Sequence, residues 1–215
     1  MKLIFILVTC LIPMAGWSQG VWESPVTEMN NINNNVSSVK EKKQNPDAKY
    51  LAGAVPEVNG KVEWKLELDV PGKSAQEIYD LIFDCFTDLT KAENQLEGSC
   101  VSLVNKKEHI VVASVKEWLV FSDKLLALDR TKFNYTLIAY CKDNHLTVTM
   151  GRLSYKYDEE RVERGHVYKA EEWINDENAL NRKKTRLLPV SAKFRRKTVD
   201  RKDQVFDMIK NSVLK

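Results

Sequence analysis

The sequence predicts an α+β domain: an antiparallel sheet of about five strands with helices on one face, in the order β-α-β-β-β-β-α. Three observations lead there. Residues 61–70 alternate without a fault, with Val62, Trp64, Leu66, Leu68 and Val70 on one side and Lys61, Glu63, Lys65, Glu67 and Asp69 on the other. Ser74, followed three residues later by Glu77, forms a capping box that opens an apolar stripe at helical spacing. Two long alternating segments then meet at Asp143-Asn144, a pair that tolerates the positive φ of a tight turn.

Each element follows from its local chemistry. Pro71-Gly72 ends the first strand, and the helix from Ser74 to about Asp88 buries Ile78, Leu81, Ile82, Cys85, Phe86 and Leu89. A polar loop at 91–98 leads to a short strand at 101–104. Asn105-Lys106-Lys107 turns the chain into a long strand at 109–121, whose core face is Val111, Ala113, Val115, Leu119 and Phe121. In the next hairpin Phe133, Tyr135, Leu137, Ala139 and Cys141 point inward from residues 132–141. Leu146, Val148 and Met150 do so from 145–157, until Gly151 marks a bulge that shifts the phase to Leu153, Tyr155 and Tyr157. Residues 158–165 read as charged and irregular, 168–181 as short amphipathic helix, and 182–197 as a basic stretch that Pro189 breaks. A closing helix from about Asp200 buries Val205, Phe206, Ile209 and Val213.

The amino-terminal region reads as a route rather than a fold. Lys2, the apolar run from Leu3 to Ile12, and the small residues Gly16 and Ser18 flanking Trp17 form a secretory leader, residues 1–18, cut between Ser18 and Gln19. The run is too short to span a bilayer, and no second apolar run of spanning length follows. Residues 19–54, rich in Asn, Lys, Ser and Glu, lack a periodic apolar face and read as a flexible tether. The domain then occupies residues 55–215. These features predict export to the periplasm or the extracellular space.

Charge is nearly balanced, with 33 Lys+Arg against 30 Asp+Glu, so no global field argues for nucleic acid. Beyond Cys10 in the leader, Cys85, Cys100 and Cys141 are an odd set without metal or redox spacing; one disulfide among them stays open.

Several segments carry a resemblance. The segments at 55–62, at 70–74 with Glu77-Ile78-Tyr79, at 168–174 (Tyr-Lys-Ala-Glu-Glu-Trp-Ile) and at 198–200 (Thr-Val-Asp) are similar to an uncharacterised bacterial family. That family is a domain of unknown function with a TATA-binding-protein-like (TBP-like) fold, common in exported proteins of Gram-negative bacteria. The resemblance spans roughly residues 55–214. It implies a fold and a compartment; it implies no catalytic or binding residues, and the fold name does not license DNA binding.

Catalytic chemistry finds little support. His109, His145 and His166 are far apart in sequence, with no pair at metal-ligand spacing. No serine sits in a nucleophile elbow, and Glu171-Glu172 diverge as neighbours on a helix. The chain therefore reads as a non-enzyme without cofactor.

Two surface candidates remain. Trp118 faces away from the core with Ile110, Val112 and Val120, a patch suited to a partner. Arg182, Lys183, Lys184, Arg186, Arg195, Arg196 and Lys197, with Lys193, Arg201 and Lys202 around them, form a basic run suited to an anion, or to pairing with Asp158, Glu159, Glu160 and Glu163. The expected function is an exported, partner-binding module of the cell envelope. The alternative is a carrier that encloses a small apolar ligand among Trp64, Trp173, Tyr135, Tyr155 and Tyr157.

Overall fold

The computed structural model describes residues 45–124, 127–157 and 165–215. The expected leader, the tether up to residue 44 and the acids Asp158, Glu159, Glu160 and Glu163 lie outside the described residues. Within them, strands β1 (Glu57–Val58) and β2 (Lys61–Val62) form a small hairpin, followed by β3 (Trp64–Asp69), α1 (Ala75–Lys91), β4 (Cys100–Asn105), β5 (Ile110–Lys124), β6 (Ala127–Lys142), β7 (His145–Tyr157) and β8 (His166–Lys169). Two single-turn helices, α2 (Ala170–Trp173) and α3 (Asp176–Ala179), precede the long helix α4 (Pro189–Val213).

The main sheet is antiparallel and six-stranded, in the order β3-β7-β6-β5-β4. Strand β8 pairs with Ser154 to Tyr157 of β7, beyond the stretch of that strand, His145 to Met150, that β3 occupies. The expected alternation holds on β5, β6 and β7, whose inward residues are buried except Phe121, at a register shift of β5, and Tyr157, which are half-buried. The bulge at Gly151 is present as a register shift opposite Asn134 and Thr136. Its left-handed residue is Arg152, at φ 55°, rather than the glycine.

The start of α1 is fastened from two sides. Ser74 Oγ accepts from the Glu77 amide while Glu77 Oε2 accepts from the Ser74 amide, at 3.3 and 2.8 Å. Across the sheet, Asp143 Oδ1 accepts from the Ala75 amide and Asn144 Oδ1 from the Gly72 amide, both at 2.7 Å. The β6–β7 turn thus also positions the helix. With α1 and α4 lying on one face, the core fills with large side chains: Phe86, Phe133, Tyr135, Tyr155, Phe194 and Leu137 are at most 2% exposed. No helix among the described residues is long and apolar enough to cross a membrane.

Three expectations need correction. The strand read as 61–70 breaks at Glu63 into β2 and β3. The final helix begins at Pro189, not near Asp200, because proline at the first helical position gives up an amide that would be unpaired anyway. Residues 45–54, assigned to the tether, are packed. A 3-10 turn at Ala48–Tyr50 lies on α4, where the Tyr50 hydroxyl donates to Asp200 at 2.9 Å and Arg196 grips Asp47 through two bonds of 2.7 and 2.8 Å. Limited trypsin digestion should therefore leave a stable fragment that retains Asp47, with slow cleavage after Lys49. The Arg196 guanidinium holds the Asp47 carboxyl below its ordinary value. The stability this pair contributes is present at neutral pH and is lost as pH falls through the carboxylate range, so the amide-exchange protection factor of Tyr50 should fall on acidification.

Candidate functional site

The face of the main sheet that no described helix covers is built by the outward residues of β4 to β7. Cross-strand pairing arranges them in rows, Asn105, Ile110, Tyr140 and Thr147 in one, Leu103, Val112, Ile138 and Thr149 in the next. At this end Leu103 and Tyr140 are 51% and 43% exposed, and Ile110, Val112 and Ile138 are half-buried. These five side chains form an apolar patch beside the edge strand β4. The middle of the face is small and polar, with Ser114, Thr136 and Gly151 in one row.

The other end is different. Trp118 pairs across with Lys132 and Val120 with Arg130, and the Arg130 guanidinium lies 3.7 Å from the centre of the Trp118 ring. Eight residues of strand separate Ile110 from Trp118, roughly 27 Å at strand rise. The four residues expected to form one partner surface are on the expected face but fall into two groups. Leu103, Ile138 and Tyr140, which complete the apolar group, come from strands whose register the sequence alone does not fix.

The edge of the sheet is a poorer docking site. Strand β4 is short, carries a bulge between Val101 and Leu103, and runs into Lys106-Lys107, all devices that discourage a further strand.

The basic run does not form one site. Arg195 is fully buried; it donates to the carbonyls of Tyr50, Leu51 and Ile174 and to Asp176 Oδ1, at 2.6 to 2.7 Å. Arg196 is held by Asp47, Lys193 by Asp129 and the Tyr157 hydroxyl, and Arg201 by Glu117. These side chains stitch α4 to the rest of the domain and are not available to a ligand as expected. Arg182, Lys183, Lys184 and Arg186 remain exposed on the loop before α4, and Lys197 is exposed on the helix.

The densest buried polar cluster was missed by the sequence reading. Glu117 sits on the core face of β5, fully buried, between Val115 and Leu119. Arg201 Nε and Nη2 each donate to it at 2.7 Å, and Tyr135, Asn94 and Gln95 supply further donors. Five donors on two oxygens leave no lone pair for proton transfer, so the cluster clamps α4 and the α1–β4 loop onto the sheet. Burial, reinforced by the Glu117 charge, pushes the Tyr135 hydroxyl well above its ordinary value, which keeps it a donor.

The remaining chemistry is dispersed. His109 packs edge-on to Tyr79, His145 lies 3.1 Å from Asp69, and His166 stacks on Tyr168. Glu171 accepts from the Val62 amide while Glu172 meets Lys169. Among the described residues no group of three or more His, Cys, Asp or Glu side chains is placed to hold a metal ion.

Of the aromatics expected to line a ligand chamber, Trp173, Tyr155 and Tyr157 pack around Phe194 with Phe121 and Tyr168, at 4.6 to 6.1 Å between ring centres, and Tyr135 packs on Phe133 at 4.9 Å. A cleft of about 670 Å³ lies between α1 and α4, floored by Leu81, Cys85 and Met208 and open to solvent.

Cys85, Cys100 and Cys141 are free thiols. Burial pushes the Cys141 thiol up to about 12 and raises that of Cys85, so neither forms thiolate at neutral pH. Native labelling should modify the exposed Cys100 alone, with Cys85 and Cys141 reacting only in denaturant. A raised thiol favours the folded state below its unfolded value. The Cys141 contribution is therefore lost as pH climbs from about 9 through about 12.

Comparison with known proteins converges on one description. A family model described as "Domain of unknown function (DUF4468) with TBP-like fold" matches residues 64–156. A crystal structure of a DUF4468 family protein from Bacteroides ovatus superposes with a TM-score of 0.73 at 38% identity, covering 79% of this chain and 96% of that one. A TBP-like protein from Parabacteroides distasonis, 22% identical, shares the fold with a TM-score of 0.57 over 74% of this chain and 97% of its own. No curated protein matches the sequence.

Proposed function

Because this chain belongs to the DUF4468 family, a domain of unknown function with a TBP-like fold, we propose that it acts through a surface rather than through catalysis: as an exported module that binds a macromolecular partner on the uncovered face of its sheet. The observation that carries this reading is the apolar patch of Leu103, Ile110, Val112, Ile138 and Tyr140 on a face that no described helix covers. The filled core and the saturated Glu117 cluster weigh against a carrier and against acid-base chemistry respectively.

Export supplies the setting: the mature chain should begin at Gln19, which the intact mass of the cell-envelope form decides. A mass that retains Met1 would remove the envelope from the proposal. The binding face is tested by photo-crosslinking in the native envelope from position 138 or 140, with position 87 on α1 as the control. A discrete adduct formed from 138 and 140, and abolished by Leu103→Glu, supports the reading. Equal yields from all three positions, or no adduct, would overturn it.

A further inference from the structure

We propose that the loop before α4, with Val190 beside it, docks the protein on an anionic lipid surface. This site is separate from the sheet face and does not depend on that reading. Of the ten basic residues in the run, most of those on α4 are matched by acids of the fold, which singles out what is left. Arg182, Lys183, Lys184 and Arg186 are all exposed, and their side chains make no hydrogen bond or ion pair among the described residues. Four cations within five positions are held close together with no acid paired to them among the described residues, and their mutual repulsion is a cost that an anionic surface would relieve.

The loop is also preorganised. An antiparallel bridge between Leu180 and Leu187 closes it, and the Asn181 amide donates to the Arg186 carbonyl at 2.9 Å. Asn181 Oδ1 accepts from the amides of Thr185 and Arg186 at 2.9 and 3.1 Å, and Lys184 takes the left-handed φ of 55° that this tight path requires. The cations are therefore displayed on a fixed backbone, and binding need not order it.

What selects lipid over another polyanion is the neighbouring apolar tip. Val190, 70% exposed, follows Pro189 at the start of α4, three residues after the bridge that closes the loop. A nucleic acid or an acidic glycan would meet the cations and leave Val190 in water. A lipid interface takes both, with headgroup phosphates at the loop and the valine at the acyl boundary. The first turn of α4 contains no acidic side chain, so the positive end of its dipole adds to the same field.

The test is co-sedimentation of the chain from Gln19 onward, free of the apolar leader, with vesicles of phosphatidylcholine containing 30% phosphatidylglycerol. Each basic residue near such a surface strengthens binding about fivefold. Wild type should bind these vesicles and not pure phosphatidylcholine, and reversing all four charges to Glu should weaken binding at least a hundredfold while urea melts stay unchanged. Val190→Trp should show a blue-shifted emission difference with the vesicles and none with inorganic polyphosphate. Undiminished binding by the four-charge variant would overturn the proposal. So would polyphosphate binding as tight as vesicle binding with no spectral shift at position 190, which would make the loop a general polyanion site.

Discussion

Arg195→Ala should destabilise the domain by about 3–5 kcal/mol in urea melts, with the slope of the transition unchanged. The side chain is fully buried and donates to three backbone carbonyls and one carboxylate, contributed by the 3-10 turn, the end of α2 and the start of α3. Removing it strands four acceptors in a water-poor site, and their desolvation cost is what the melt would read. Arg195→Lys should recover little, because one ammonium cannot reproduce the planar fork that reaches both Tyr50 and Ile174. The loss should be visible locally as well, since Tyr50 and Leu51 lose their anchor and trypsin gains access after Lys49. A cost below about 1 kcal/mol would mean that the guanidinium is not the organising contact of this end of the domain.

That residue also marks where the sequence stops being legible. Alternation and capping made the main strands and α1 readable, because each is written in neighbours two or four positions apart. Arg195 has its partners at residues 50, 51, 174 and 176, and nothing local distinguishes it from the solvated Lys197 two positions on. The same applies to Glu117. As a carboxylate in an apolar row it reads as a break in the pattern, and only Arg201, 84 residues later, explains its burial. Pro189 misled for a different reason: proline both ends helices and begins them, and the apolar stripe that decides between these, Ala192, Phe194 and Val199, is interrupted by cations now known to be engaged inward. Strand β8 was hidden because four residues that pair only with the far end of β7 carry too little alternation to be seen. On the face that no described helix covers, the direction of Trp118, Ile110, Val112 and Val120 was legible from alternation. Their division into two groups follows from length along the strand. The neighbours that complete each group depend on register.

The contrast between Trp64 and Trp118 tests that face directly. Trp64 is 6% exposed on the core side of β3, and its indole nitrogen donates to the Ala54 carbonyl at 2.9 Å. Trp64→Ala should therefore cost about 3–5 kcal/mol, the price of an emptied aromatic site. Trp118 is half-buried on the opposite face, where its principal neighbour is the stacked guanidinium of Arg130. Trp118→Ala should lose that stack and part of the ring's burial, on the order of 1 kcal/mol. The two substitutions remove the same atoms from opposite faces of one sheet, on strands separated by β7 and β6, so the difference between them measures how much of the protein lies over each of the two positions. Equal losses would mean that another part of the chain covers the second face, and a partner could not then reach Leu103, Ile138 and Tyr140 without displacing it. A large difference leaves the face open, with an apolar patch at one end whose exposure the fold itself does not require.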